Sequence, residues 1–139
     1  MPGSDLIIAW VSKDGKVHFH DRNSRAYAMP EIDASQDWTL LEGRENGTHT
    51  IIKFRRPYYT CDEENDLPIT KDTMRLIFAY DDRDPKDPNQ VHIHERRQRG
   101  VKSAFLRFYK IPQQHFRDEG VELLDVTIKN VRKIISDSE

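Results

Sequence analysis

Residues 5–20 read DLIIAWVSKDGKVHFH, and this stretch decides the fold. Residues 5–11 form a short apolar run that is rich in β-formers and too brief for a stable lone helix. Residues 16–20 continue the strand-like periodicity after the interruption. Between the two, Asp14-Gly15 supplies the positive φ that a two-residue hairpin requires. The sequence therefore predicts two antiparallel strands joined at this pair.

The same pattern recurs along the chain. A second hairpin is expected over 37–54 around Asn46-Gly47, and further strands are expected over 74–80 and 101–108. The tail alternates over 125–129, whereas 112–119 favours no more than a turn of helix. We therefore predict an all-β fold, an antiparallel β-sandwich of roughly six or seven strands.

Composition narrows the class of protein. The length of 139 residues is typical of one domain, and 22 basic against 24 acidic residues disfavour a nucleic-acid binder that relies on a basic face. No apolar run is long enough for a membrane span, and the first residues carry no visible signal peptide. The single cysteine excludes a disulfide scaffold within the chain.

Two His-x-His pairs, His18/His20 and His92/His94, are candidate metal ligands. Residues two apart on a strand point to the same face, so each pair could present two imidazoles to a copper ion. That site would need a further ligand brought close by the fold. A polar face on a half-exposed strand explains the same spacing, and we favour that interpretation.

Three aspartates near strand ends, Asp5, Asp21 and Asp33, are candidate oxygen ligands. Carboxylates and free carbonyls could converge there on a hard cation such as calcium. Aspartates at strand ends usually occur in turns for their local hydrogen bonds, and from the residues alone we favour that interpretation. Asn46-Gly47-Thr48 is a glycan acceptor sequence at a predicted hairpin tip, which makes Asn46 a candidate glycosylation site if the protein is secreted.

Several segments together resemble the DOMON domain of the dopamine β-hydroxylase family, the copper- and ascorbate-dependent monooxygenases, and especially its monooxygenase-X branch. The matching segments occur in the family's order, and they are 3–10, 33–38, 45–54, 56–62 and 99–103. The run through Thr60-Cys61-Asp62 is the most specific of them. The resemblance implies a β-sandwich, in agreement with the strand pattern.

The resemblance also implies how the chain is organised. Residues 1–120 correspond to a partial DOMON sandwich without its first strands, and residues 121–139 to a C-terminal strand or a linker toward catalytic domains. The two copper-binding catalytic domains of the family have no counterpart in this sequence. We therefore expect no hydroxylase activity from this chain alone, no catalytic copper, and a secretory or extracellular location. Expected partners are those catalytic domains or a second copy of the chain.

Site residues follow from the same resemblance. In the family, a metal site in this domain corresponds to Asp5, the carbonyls of Leu6 and His20, and Asp33, an oxygen set that suits calcium or another hard cation. The alternative function is that of a b-type haem electron-transfer domain, whose axial ligands correspond to Met1 and His94.

The family's cysteine at the position of Cys61 bridges to a cysteine outside the DOMON region. The partner of that bridge has no counterpart in this sequence. We therefore expect a Cys61 that is either free or paired with another chain.

Overall fold

A computed structural model describes residues 2–107 and the backbone of 123–131. This part of the chain contains eight β-strands and one short 3₁₀ turn at Arg96–Gln98, so the all-β prediction is confirmed. The strands are β1 Ser4–Val11, β2 Val17–Ser24, β3 Glu31–Ile32, β4 Thr39–Glu45, β5 His49–Pro57, β6 Thr73–Ala79, β7 Arg99–Phe105 and β8 Leu123–Val131. The segment 112–119 and Met1 lie outside the described residues.

The first sheet has the strand order β1-β2-β3. β1 and β2 pair antiparallel without a register shift from Ser4↔Ser24 to Val11↔Val17, as the hairpin prediction requires. Gly15 takes the positive φ of 82°, as predicted. The connection is longer than the predicted two-residue turn, because residues 12–16 link the strands and the amide of Gly15 donates to the Ser12 carbonyl at 2.8 Å. β3 is only two residues long and was not predicted, because so short a segment has no periodicity to detect.

The second sheet has the order β4-β5-β8. β4 and β5 form the second predicted hairpin, with a β-bulge between Leu40 and Glu42. β5 ends at Pro57 and pairs with β8 over its whole length. The backbone of residues 123–131 is thus a strand of this sheet, while the division of the chain at residue 120 stays a prediction.

The core lies between the β1–β2 hairpin and the β4–β5 hairpin. Val11, Ile52 and Phe54 are buried at its centre. Partly buried apolar side chains pack around them, namely Ile7, Ala9, Val17, Phe19, Trp38 and Leu40. Since these residues recur every second position on their strands, each hairpin turns one apolar face inward, which is the arrangement of a β-sandwich.

β6 and β7 form a separate two-stranded antiparallel sheet, with Thr73 opposite Phe105 and Ala79 opposite Arg99. Both strands were predicted, β6 within one residue and β7 within three residues of the observed bounds. The described residues contain no helix long and apolar enough to cross a membrane.

Candidate functional site

The core of the sandwich ends in a cluster of buried charges. Asp5 and Asp21 continue the inward face of β1 and β2, and Arg56 continues the Ile52–Phe54 stripe of β5. Asp66 joins them from the segment that follows β5. Asp21 and Arg56 are each 1% exposed, so these charges are removed from water as completely as the apolar core.

Arg56 is the centre of this cluster. Its Nη1 donates to Oδ2 of Asp5, and its Nη2 donates to the carbonyl of Leu67 at 2.8 Å. Nη2 also lies 3.8 Å from Oδ2 of Asp66, and the guanidinium sits 5.0 Å above the ring of Trp38. One arginine therefore compensates two buried carboxylates and fixes the segment around Leu67.

The carboxylates of Asp5, Asp21 and Asp66 converge. One oxygen from each lies within 4.8 Å of the others, a spacing at which they could hold one metal ion. We call these three residues the acidic trio. Oδ1 of Asp21 and Oδ2 of Asp66 are buried without a hydrogen-bond donor among the described residues. Such orphaned buried oxygens are rare, and they fit a bound cation or proton.

The environment changes the acidity of the trio. Burial is the main cause that raises the pKa of Asp21 to about 7, and the carboxylates of Asp66 and Asp5 add to the rise, against a hydrogen bond from the amide of Asp37. Burial likewise raises the pKa of Asp66. These raised pKa values follow because three ionised carboxylates would carry more negative charge than Arg56 alone balances, so the cluster favours a bound proton or cation.

The structure places the predicted oxygen ligands in two groups. Asp5 and Asp21 belong to the trio, whereas Asp33 is buried beside it and satisfied by amides. Its Oδ2 accepts from Asn23 at 3.3 Å, and its Oδ1 accepts from Asn65 at 3.3 Å and from the amide of Ser35 at 3.1 Å. Asp33 is nevertheless adjacent to Asp21, because its amide donates to the Asp21 carbonyl at 3.0 Å.

Leu6 and His20 lie in the β1–β2 ladder, opposite Arg22 and Ile8 respectively. Their side chains belong to the face opposite that of Asp5 and Asp21, since neighbouring residues of a strand alternate. Only their backbone carbonyls could therefore serve a cation near Asp5, as the resemblance implies.

Asp66 and Arg56 were missed as site residues. The alternation Ile52, Phe54, Arg56 was visible in the sequence and placed Arg56 on the inward face. Asp66 gives no comparable signal, because it belongs to an irregular segment whose neighbouring acids, Glu63 and Glu64, are exposed.

The histidine pairs lie elsewhere. His18 stacks on Trp10 with ring centroids 4.4 Å apart, and His20 is tilted against the same ring at 5.8 Å. His92 is exposed and His94 is partly buried, with its Nδ1 3.4 Å from the carbonyl of Glu95. Within the part of the chain that the structure describes, the acidic trio is the one group of three or more His, Cys, Asp or Glu side chains suited to a metal ion.

A second buried arginine has a structural role. Arg22 on β2 donates to the carbonyls of Pro30 at 2.8 Å and Pro88 at 2.6 Å. These bonds tie two distant loops to the outer face of the first sheet.

Asn46 and Cys61 are both accessible. Asn46 is exposed at the β4–β5 turn, where its Oδ1 accepts from the amides of Thr48 at 2.9 Å and His49 at 2.8 Å. Cys61 is exposed with a free thiol and has a positive φ of 67°. Either residue can therefore be reached by a modifying enzyme or a second chain.

Comparison with known proteins identifies the family of the chain. The family model described as "DOMON domain" matches residues 1–81. The chain is 46% identical over 87 residues to MOXD1 homolog 2 of Drosophila melanogaster, covering 61% of this chain and 11% of that protein. It is 32% identical over 131 residues to DBH-like monooxygenase protein 1 of Gallus gallus, covering 94% of this chain and 20% of that protein.

The similarity extends to dopamine beta-hydroxylase of Bos taurus, at 30% identity over 80 residues, with 58% of this chain and 13% of that protein covered. The chain thus spans a fifth or less of the length of these relatives. No solved structure gives a significant match. The predicted resemblance is confirmed, and the chain belongs to the DOMON domain family.

Proposed function

We propose that this chain is a non-catalytic module of a dopamine β-hydroxylase-like copper monooxygenase, which binds a hard divalent cation and contacts partner domains. The observation that carries the cation proposal is the acidic trio with its orphaned oxygens on Asp21 and Asp66. Carboxylate oxygens are the ligands that calcium prefers in proteins. Because Arg56 balances only part of the charge, a cation would complete the compensation of this buried cluster.

Two donor sets compete for that cation, and they share Asp5. The trio of Asp5, Asp21 and Asp66 is supported by the convergence of its carboxylates. The set of Asp5, Asp33 and the carbonyls of Leu6 and His20 is supported by the family resemblance. We favour the trio, because the carboxylate of Asp33 already accepts hydrogen bonds from Asn23 and Asn65.

Thermal unfolding with and without calcium tests this proposal. A ligand that binds only the folded state, at a concentration of about 100 times its dissociation constant, stabilises the folded state by about 2.7 kcal/mol. We expect calcium to raise the Tm of the chain after treatment with chelator. Asp21→Asn should abolish the shift, Asp33→Asn should retain it, and the exposed control Glu63→Gln should behave as the natural chain. A shift lost with Asp33→Asn and kept with Asp21→Asn would assign the cation to the other donor set.

The absence of catalysis is also a proposal. The catalytic copper would be held by other domains of the longer family members and not by this chain. Copper-dependent, ascorbate-driven turnover by the purified chain would contradict it.

The haem alternative involves Met1 and His94 and stays a prediction. An absorption spectrum after addition of haem tests it, with a Soret band that is lost in His94→Ala as the supporting result.

A secretory or extracellular location is proposed from the resemblance to family members. In that location, the exposed Asn46 could carry a glycan, and the exposed Cys61 could form a disulfide with a partner outside the chain. Mass spectrometry of secreted protein, with and without glycosidase and alkylation, tests both modifications. An unglycosylated Asn46 and an unmodified thiol would contradict them.

A further inference from the structure

The ribbon formed by β6 and β7 presents large apolar side chains to solvent. Phe105 is 58% exposed, Phe78 is 55% exposed and Val101 is 52% exposed. Leu76, Ile77 and the adjacent Tyr80 are exposed as well. Because neighbouring residues of a strand alternate, Ile77, Val101 and Phe105 lie on one face of the ribbon, whereas Leu76 and Phe78 lie on the other. Large apolar groups that stay exposed in this way typically mark an interaction surface.

One face of the ribbon is open along its entire length. The register pairs Ile77 with Val101, and the same face carries every second pair in both directions. All eight residues of this face are exposed, namely Thr73, Arg75, Ile77, Ala79, Arg99, Val101, Ser103 and Phe105. We call this set the ribbon face.

The edges of the ribbon point to the kind of occupant. Among the described residues, β6 and β7 pair only with each other, so each strand has one unpaired edge. An isolated two-stranded ribbon is marginally stable in water, and a third strand stabilises it. Lipid cannot satisfy the hydrogen-bonding groups of an open edge, whereas an added polypeptide strand can.

The charge of β6 and β7 indicates which kind of polypeptide would bind there. The two strands contain the basic residues Arg75, Arg99 and Lys102 and no acidic residue. The nearby Asp81 is already paired with Arg83 at 2.8 Å. A second copy of the ribbon would set basic residues against basic residues, whereas an acidic strand would be attracted.

We propose that the β6–β7 ribbon binds an extended segment of a partner polypeptide, with alternating acidic and apolar residues, as an added strand. This inference rests on the proposed function, because it supplies the surface through which the module contacts a partner domain. Since neighbouring residues of the added strand point to opposite faces, its carboxylates would lie on the ribbon face with Arg75 and Arg99, and its apolar residues would lie on the other face beside Leu76 and Phe78.

A fluorescently labelled peptide of about eight residues, the length of a typical strand, tests the proposal with the full chain. The probe alternates glutamate with valine, and a matched peptide alternates lysine with valine. We expect saturable binding of the glutamate peptide, measured by anisotropy, and much weaker binding of the lysine peptide. Hydrogen exchange should show new protection of amides in β6 or β7 when the glutamate peptide is bound.

Variants locate the binding surface. The double variant Arg75→Glu/Arg99→Glu should weaken binding by about tenfold or more, and Leu76→Ser on the other face should weaken it as well. The charge-matched control Lys13→Glu/Arg44→Glu alters exposed residues away from the ribbon and should bind as the natural chain.

Several results would overturn the proposal. They are no binding by the natural chain, equal binding of the lysine peptide, and an equal loss in the control variant. Binding to phosphatidylserine vesicles that depends on Arg75 and Arg99, without peptide binding, would instead assign the ribbon to membranes. The calcium-induced Tm shift, measured on the same variants, separates this inference from the cation proposal, since it should survive the loss of peptide binding.

Discussion

Replacement of Arg56 by methionine tests the charge balance at the end of the core. Methionine keeps much of the side-chain volume and removes the cation, which leaves the carboxylates of Asp5 and Asp66 buried without their partner. Removal of one partner from a buried ion pair costs about 3–5 kcal/mol. Because Arg56 is 1% exposed and the side chain of Asp5 is 5% exposed, solvent can do little to reduce that cost.

The assay is urea denaturation at neutral pH in the presence of chelator. A loss of about 3–5 kcal/mol is a large share of the 5–15 kcal/mol that stabilises a typical domain. The matched control is Arg44→Met, which removes an exposed arginine paired with Glu42 at 2.6 Å. Exposed pairs contribute about 1 kcal/mol or less. Arg56→Lys should fall between the two, since lysine keeps the charge without the planar fork that serves Asp5 and Leu67 together.

Equal losses in Arg56→Met and Arg44→Met would refute the reasoning. That result would mean that the buried carboxylates take up protons or water at little cost, so that Arg56 contributes no more than a surface charge. A loss in Arg56→Met that shrinks at lower pH would support the reasoning, because protonation of the carboxylates removes the uncompensated charge.

Three further predictions concern the cluster and the core. Asp21→Asn should flatten the pH dependence of stability: the raised pKa means that the folded state binds the extra proton, so the natural chain loses stability as pH rises from about 4 to about 7. The rise of the Asp21 pKa from 3.8 to about 7 sets an upper bound of about 4 kcal/mol on this loss of stability. Urea denaturation in chelator at several pH values measures it, and an unchanged slope of stability against pH in Asp21→Asn would contradict the prediction. Gly43→Ala should cost about 1–3 kcal/mol, because its Cβ would lie 2.5 Å from Cγ1 of Val17, whereas the control Gly47→Ala meets nothing within 4 Å; equal Tm values would contradict this. Phe54→Ala should cost about 3–5 kcal/mol in thermal unfolding, and a loss below 1 kcal/mol would show that the cavity collapses.

Local sequence was sufficient to predict the hairpins. Asp14-Gly15 indicates a positive φ at Gly15, and the flanking residues have strand periodicity, so the place of the turn and the pairing follow from neighbouring residues, whereas the length of the connection does not. The bulge at Leu40 and Glu42 was not predictable, because an extra residue in one strand is decided by packing against the other sheet. β3 escaped prediction for a similar reason, since its two pairs depend on β2 already being in place.

The candidate site was predicted in part. Asp5 and Asp21 were recognised as oxygen donors, and the structure brings them together on the inward face of the first hairpin. Their third companion, Asp66, comes from an irregular segment after β5, and its position depends on contacts between distant parts of the chain. Arg56 donates to the Leu67 carbonyl, and the Leu67 amide donates to Asp5 at 3.1 Å. Such a reciprocal arrangement can be read only from a folded chain.

The buried ionic cluster and the β6–β7 ribbon both result from the kind of side chain that the strands place on each face. Along β5, the inward face changes from Ile52 and Phe54 to Arg56, so one end of the core consists of buried charges and not of apolar side chains. Burial of those charges is costly, and Arg56 together with a proton or the proposed cation would compensate it. The β6–β7 ribbon has the opposite imbalance, because its apolar and basic side chains remain in solvent. Under the two proposals, the module would bind a cation at the buried cluster and a partner strand at the ribbon, so the two interactions would use different parts of the described chain. Peptide binding and the calcium-induced Tm shift, measured on the same variants, therefore test strand binding at the ribbon and cation binding at the acidic trio independently.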